Sequence, residues 1–486
     1  MESMHDLETL TLDNLSVSEI RADHFLSSVD SVSIDSISTS HHADVSYNDM
    51  PEFRDKLIIR EKSFRQQFAN LYFVRLVEMR PVVLMAAQKR WNVTSQERTT
   101  DEPHAIKHVD RILDVKSGET CYVIGTVYMD MQFKPNILDD VTKEHWDIAP
   151  SPRSKYCSDD DKVFLEDESG RIILTGEKLK QEIIVTGVIM AVLGKENAEG
   201  EFEVYDVCFA GLPNQAKSIQ KSIDDDKYIA LICGLKVGEN ASALPLQMMI
   251  EYLTGEIGSL SEQNFSSKIA RIIIAGNSLP EVKIMDDDRK QKKYGYDGSM
   301  YNAELCLELD DIIDELCSTV PVDLMPGNND PTNSSLPQQP IIPNLLPKAN
   351  QHSTFHSVTN PYWCELDGVV FLGTSGQTID DIYKYVSSED RLKFAERTLH
   401  WRHIAPTAPD TLWCYPFQDV DPFIMSQAPH IYFISNQKEF ATSTIEGPDK
   451  QRTRIILLPS FAETGVVVLV NLKNLKCHPI FFSSLN

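Results

Sequence analysis

Three apolar runs in this 486-residue chain each end in a short polar loop of the kind that can carry chemistry. The loops are Cys233-Gly234-Leu235-Lys236, Gly276-Asn277-Ser278 and Gly327-Asn328-Asn329-Asp330. In α/β domains, ligands gather at loops that follow the carboxyl ends of strands. A pair of divalent cations that activates water would need several carboxylates and imidazoles there to neutralise and hold it. These loops supply amides, one carboxylate and one ammonium. A neutral amide is a weak ligand, and a lysine repels divalent cations. No metal or other cofactor is therefore expected.

Other groups invite a chemical reading and have a plainer one. His352 and His356 are spaced i, i+4, and His400 and His403 i, i+3, but neither pair has the carboxylate setting of a helix-borne zinc motif. Both pairs read as structural or surface histidines. The run Arg289-Lys290-Gln291-Lys292-Lys293 follows Asp286-Asp287-Asp288 and reads as a solvated charge run, with nuclear import as its alternative. Nine scattered cysteines include no Cys-x-x-Cys pair, which suits reduced thiols.

The elements that must position these loops alternate. Tyr228–Cys233, Ile269–Ala275 and Val320–Met325 read as buried strands, and Leu244–Leu253 and Asn302–Thr319 as helices. That order indicates a layered α/β domain. Before it, five short strands fall between Ile106 and Leu212: Thr120–Met131, the two arms of a hairpin over 163–174, Glu182–Val192 and Glu201–Ala210. Five strands in about 100 residues fit a small Greek-key barrel. Its aromatics, Tyr122, Tyr128, Phe164 and Tyr205, could stack bases, but with few cations nearby they read as core. Phe64, Phe68, Leu71, Tyr72 and Leu76 recur at helical spacing with Arg60, Lys62, Arg65 and Arg75 between them, and Pro81 is expected to end or kink that helix.

Charge narrows the function classes. The formal net charge is -26, against the basic surface of a protein that holds nucleic acid alone, so direct DNA binding is expected to be weak or absent. Residues 1–50 hold ten acidic residues against Arg21 alone, with a serine-rich stretch over Ser27–Ser40, and read as a disordered tail. The acidic residues near the start (Glu2, Asp6, Glu8) do not suit a secretory leader, and no apolar run of membrane-spanning length appears.

The three loops have the layout of the calcineurin-like metallophosphoesterases, whose motifs run Asp-x-His, Gly-Asp-x-x-Asp and Gly-Asn-His-Asp/Glu. By that resemblance Gly234 stands for the first aspartate, Lys236 for the first histidine, Asn277 for the bridging aspartate and Asn329 for the third-loop histidine. Asn328 matches, with Asp330 beside it. The late Gly-His-x-His aligns with Ser435-Asn436-Gln437-Lys438, which places Asn436 and Lys438 at ligand positions. Together with the barrel and the acidic tail, this resembles the small (B-type) subunits of eukaryotic replicative B-family DNA polymerases. The most specific stretches are Pro326–Asn333 followed by Leu336-Pro337-Gln338-Gln339-Pro340, Thr359-Asn360-Pro361-Tyr362, Leu372–Gln377 and Arg402–Thr411. Asp-Pro-Thr-Asn and Leu-Pro-Gln-Gln-Pro point to the delta type. The family's usual Pro-Gly-Glu-Phe-Asp is Pro-Gly-Asn-Asn-Asp here.

The resemblance, spanning about residues 53–482, implies an α+β two-domain protein. The expected parts are the tail (1–50), a helical segment packed on the barrel (51–105), an OB-type barrel (106–215) and an inactivated phosphoesterase-like α/β domain (216–486) with a two-layer sheet and flanking helices. It implies a nuclear, non-catalytic scaffold bridging the cysteine-rich C-terminal region of the polymerase delta catalytic subunit and an accessory third subunit, and reaching the sliding clamp only indirectly. Arg60, Phe64, Arg65, Phe68 and Arg75 are the candidate partner contacts, and no membrane contact is expected. The alternatives are an active metallophosphoesterase or nuclease, and an OB-fold single-stranded DNA-binding protein.

Overall fold

The computed structural model describes residues 7–11, 18–21, 41–63, 65, 67–96, 106–135, 154–216, 225–239, 243–281 and 302–483. The readings placed on Ser27–Ser40, on Phe64 and on residues 289–293 lie outside them.

The barrel forms from Thr120–Asp130, Lys162–Glu166, Arg171–Thr175, Ile189–Glu196 and Glu201–Cys208. The first strand pairs with the second and the fourth, the second with the third, and the fifth closes the ring, parallel to the third and antiparallel to the fourth. That is the OB order. Side chains alternate along the first strand: Cys121, Val123 and Val127 enter the barrel core, while Tyr122 and Ile124 face outward. In the hairpin, the Asp167 carboxylate accepts the backbone N–H groups of Ser169 and Gly170 at 2.7 and 3.0 Å, an Asx turn that sets the register. The apolar run expected as a strand from Glu182 is a strand only from Ile189. Ile184, Val185 and Val188 are buried in an entry turn, and burial alone does not distinguish a turn from a strand.

Outside the barrel lies one long helix, Ala69–Gln96. Leu76, Met79, Val83, Ala87 and Trp91, at intervals of three and four, seal Tyr122 and Ile124. Pro81 does not end it. Pro81 and Val77, the residue four earlier whose carbonyl loses its partner, both lie on the exposed face, where water can take the freed group. The helix begins after Phe68, so Phe68 precedes its first turn.

The remainder is a four-layer sandwich. One seven-stranded sheet runs Leu7–Thr11, Ala441–Glu446, Arg452–Pro459, Ile431–Gln437, Val369–Thr374, Tyr362–Leu366, Tyr47–Asn48. The other runs Phe355–Ser357, Val322–Met325, Ile269–Ala275, Tyr228–Ile232, Val466–Asn471, Cys477–Ser483, Ser18–Arg21. Between them Ile229, Leu231 and Ile273 meet Phe371, Phe433 and Ile456. Helices Ala243–Thr254 and Ala303–Cys317 cover the outside of the second sheet, and Gln377–Tyr385 and Arg391–Trp401 the outside of the first. The central strands are parallel and buried on both faces, which is why they read as unbroken apolar runs.

The disordered tail expected over residues 1–50 is corrected at three places. Leu7–Thr11 and Ser18–Arg21 each add an edge strand, one to each sheet, with Ile20 buried in the core. Residues 41–50 pack on the sandwich: Ser46 donates its N–H to Asp367 at 2.8 Å, and Val45 and Met50 are core residues. Net acidity argues for disorder only where no partner is near; an open sheet edge supplies a row of unpaired N–H and C=O groups. Met50 is 2% exposed beside Phe53 and Leu57. Met50→Ala is therefore expected to lower stability by about 2–5 kcal/mol, read by chemical denaturation of the full chain. An unchanged midpoint would mean that residues 41–50 are detached in solution.

Candidate functional site

The carboxyl ends of the parallel strands from both sheets converge on one loop cluster. Gly234 N–H donates to the Gly276 carbonyl at 2.9 Å, Lys236 N–H to the Asn277 carbonyl at 3.3 Å, and Asn329 N–H to Asn277 Oδ1 at 3.2 Å. Ser375 reaches in from the other sheet, and Asn436 Nδ2 donates to its carbonyl at 3.0 Å. The approach is close: a Cβ on Gly327 would sit 2.4 Å from the Asn277 nitrogen and 2.6 Å from Ser375 Oγ. Lys236, Asn277 and Asn436 all hold positive φ, at 46, 53 and 55°, which costs energy in non-glycine residues and persists only where the surroundings enforce it.

The one buried carboxylate here is turned to the protein's own backbone. Both oxygens of buried Asp330 accept N–H groups, from Gly327 at 2.7 Å and Leu279 at 3.1 Å, and burial raises its carboxyl to about 6 despite those bonds. Burial pushes the Cys233 thiol up to about 12. Lys236 Nζ pairs with Glu463 Oε1 at 2.5 Å. Asn328 and Lys438 are exposed. Among the described residues, no group of three or more His, Cys, Asp or Glu is placed to hold a metal ion.

A buried amide network braces the third loop, and composition did not announce it. Gln338 Nε2 donates to the Gly327 carbonyl at 2.8 Å, while Gln338 Oε1 accepts from Asn360 at 2.8 Å and Gln377 at 2.9 Å. Asn360 Oδ1 in turn accepts the Ser375 N–H at 3.1 Å. The signal was the set of unusual stretches Leu-Pro-Gln-Gln-Pro, Thr-Asn-Pro-Tyr and Gly-Thr-Ser-Gly-Gln, which are far apart in sequence and meet here. Gln339 beside it accepts the Ile59 N–H at 2.9 Å and donates to the Leu57 carbonyl at 3.0 Å.

The candidate partner contacts separate. Arg60, Arg65 and Phe68 are exposed, but Arg75 is fully buried, which removes it as a partner contact. Arg75 Nε donates to Asp421 at 2.7 Å, and its other nitrogens donate to the carbonyls of Pro406 at 2.8 Å, Ala408 at 2.7 Å and Gly187 at 3.2 Å. Its position on the inner helix face is the reason: a guanidinium can be buried there because a carboxylate and three carbonyls receive it. The His403 ring bonds Asp421 at 2.9 Å, and its other nitrogen accepts the Ala405 N–H at 3.2 Å. The remaining histidines do not form metal pairs: His352 bonds Asp314 and His356 bonds Arg271. Tyr122, an imagined base platform, is 2% exposed and packs on Trp91 with ring centroids 5.1 Å apart.

Two outcomes follow from this junction. Removing one partner strands the other charge, so Arg75→Ala is expected to cost on the order of 3–5 kcal/mol in urea denaturation; a cost below about 1 kcal/mol would contradict the packing. Burial also holds His400 and His403 down at about 4 from 6.5. As pH falls below about 6.5 the unfolded chain takes up protons on both rings and the folded chain does not. Their contribution is thus complete above neutrality and lost toward pH 4. The thermal midpoint should fall between pH 7 and 5, and replacing both histidines by glutamine should flatten that decline.

Comparison with known proteins places this geometry. The family model for DNA polymerase delta subunit OB-fold domain matches residues 67–207, the barrel with its helix, and that for the B subunit of DNA polymerases alpha and epsilon matches residues 229–442. The chain is 41% identical to the DNA polymerase delta small subunit of Oryza sativa subsp. japonica over 87% of its own length and 95% of the relative's. It is 40% identical to that of Arabidopsis thaliana (93% and 98%) and 32% to that of Saccharomyces cerevisiae (89% and 92%). Similarity of this extent, running through the barrel and the sandwich alike, makes the chain a member of the DNA polymerase delta small subunit family.

Proposed function

We propose that this protein is a non-catalytic scaffold, joining the cysteine-rich C-terminal region of the polymerase delta catalytic subunit to an accessory third subunit in the nucleus and meeting the sliding clamp only through them. Its second domain, in this reading, is a phosphoesterase-like body (216–486) that has exchanged its metal site for internal bonds, with the barrel spanning 106–215. The observation that carries this is the loop cluster. Gly234, Lys236, Asn277 and Asn329 occupy the positions where two cations would need charged ligands. Asp330 is spent on backbone N–H groups, and the Lys236 ammonium sits paired with Glu463 at the same loops. What remains is a rigid body with loops braced by amides, suited to presenting surfaces. The sequence has no Cys-x-x-Cys pair, so in this reading a zinc or iron–sulfur module of the assembly would belong to the partner. With a net charge of -26, direct contact with DNA is expected to be weak.

Two measurements test this. Purified protein with excess manganese should hydrolyse neither a generic phosphodiester nor single-stranded DNA above a Lys236→Ala control; tight stoichiometric manganese with turnover lost in Asp330→Ala would overturn the non-catalytic reading. Co-expression with the catalytic subunit's C-terminal region should give a one-to-one complex on gel filtration. Failure to co-elute at any salt concentration would count against the scaffold.

A further inference from the structure

The long helix that seals the barrel has a second apolar face. Phe73, Val77, Pro81 and Met85 recur at intervals of four on its solvent side, and Phe73, Val77 and Met85 are 59, 52 and 63% exposed. Residues spaced by four form the ridge that one helix inserts into the groove of another. This ridge runs about 18 Å, the length of some three helical turns. The helix is already anchored through its opposite face, so the exposed side chains are not needed to hold it. Among the described residues, nothing in the barrel or the sandwich explains large apolar side chains there.

One end of the ridge is electrically marked. Just before Phe73, a shallow cleft of about 340 Å³ is lined by Arg65, Gln67, Asn70 and Gln418. Lys62 and Arg65 are exposed in the segment leading to it against Glu61, while Arg60 pairs with Asp55 at 3.5 Å, a local excess of positive charge on a chain whose total is -26. The first turn of the long helix contains no acidic residue, so its N-terminal N–H groups add to that field. Ser63 N–H donates to the Tyr415 hydroxyl at 2.9 Å, which ties the segment preceding the cleft to the sandwich. Trp413, two residues from Tyr415, is 74% exposed.

We infer that this face docks an amphipathic helix from a partner subunit, apolar along three turns and acidic at the end that meets Arg65. Charge complementarity and the ridge's spacing fix that chemistry. A nucleic acid strand is the poorer occupant, because phosphates need a continuous track of cations and the basic patch stops at the start of the ridge. The inference rests on the scaffold reading and specifies one of its surfaces.

The test uses the full chain co-expressed with the full-length catalytic and accessory subunits. Phe73→Asp/Val77→Asp should reduce recovery of one partner at least tenfold, while retaining the wild-type thermal midpoint and the other partner. Arg65→Glu should weaken the same partner several-fold at low salt and much less at high salt, the mark of an electrostatic contact. Full recovery of both partners with both variants would overturn the docking face, leaving the scaffold intact. Binding of a single-stranded oligonucleotide that the Asp variants abolish would overturn it in favour of nucleic acid. A wild-type chain that assembles with neither subunit would sink the scaffold reading, and this surface with it.

Discussion

Burial of Arg75 is the constraint on which the arrangement of the two domains depends. A guanidinium excluded from water is tolerated only if its donors are received and its charge is matched. Here the receivers come from three places: Gly187 from the barrel, Pro406 and Ala408 from one loop of the sandwich, and Asp421 from another. Helix, barrel and sandwich must therefore be seated together, or the charge is stranded. Gly187 shows how tight the seat is. A Cβ there would fall 2.0 Å from the Pro406 carbonyl oxygen, and its φ of 89° already excludes most side chains. Arg402 repeats the device nearby, donating to the carbonyls of Gly211 at 2.7 Å and Leu212 at 3.0 Å where the chain leaves the barrel. These bonds lie beside an apolar seam in which barrel and sandwich side chains share one core, and their directionality favours one relative placement.

The loop cluster makes the complementary point. Backbone conformations such as those at Lys236, Asn277 and Asn436 need enforcement. In a metal centre the cation's charge supplies part of it. Here, hydrogen bonds between loops do the enforcing, with the Gln338–Asn360–Gln377 amides behind the third loop. Amides suit the task because they donate and accept at once, so a few of them satisfy many backbone groups without burying charge.

Much of this was legible in the sequence because it is periodic or punctuated. The parallel strands announced themselves as apolar runs ending in glycine, the hairpin by Glu168-Ser169-Gly170 between two β-rich runs, and the loop residues by their types. What was not legible depended on partners distant along the chain. Arg75 looked like the other arginines around it, and its receivers lie far along the chain, Asp421 346 positions later and the carbonyls of Gly187, Pro406 and Ala408. Pro81 looked like a stop or kink because propensity treats all helix faces alike, whereas on the wet face water can take the carbonyl it frees. The edge strands near the N-terminus were hidden by their acidity, since charge density reports solubility and not whether a sheet edge waits nearby.

Those edge strands couple distant parts of the polypeptide. Ser18–Arg21 lies parallel to the last described strand, in register from Ser18 with Ile480 to Arg21 with Ser483. A nascent chain emerges from the ribosome N-terminus first, and early domains can fold while later ones are still being made. The barrel, closed entirely by residues 120–208, can do so. The sandwich cannot be completed in that order, because its first two strands await neighbours near the other end of the chain, Ala441–Glu446 and Cys477–Ser483. Until then, the N-terminal segment must stay unpaired and soluble, and its ten acidic residues in fifty are a composition that keeps such a segment from associating while it waits.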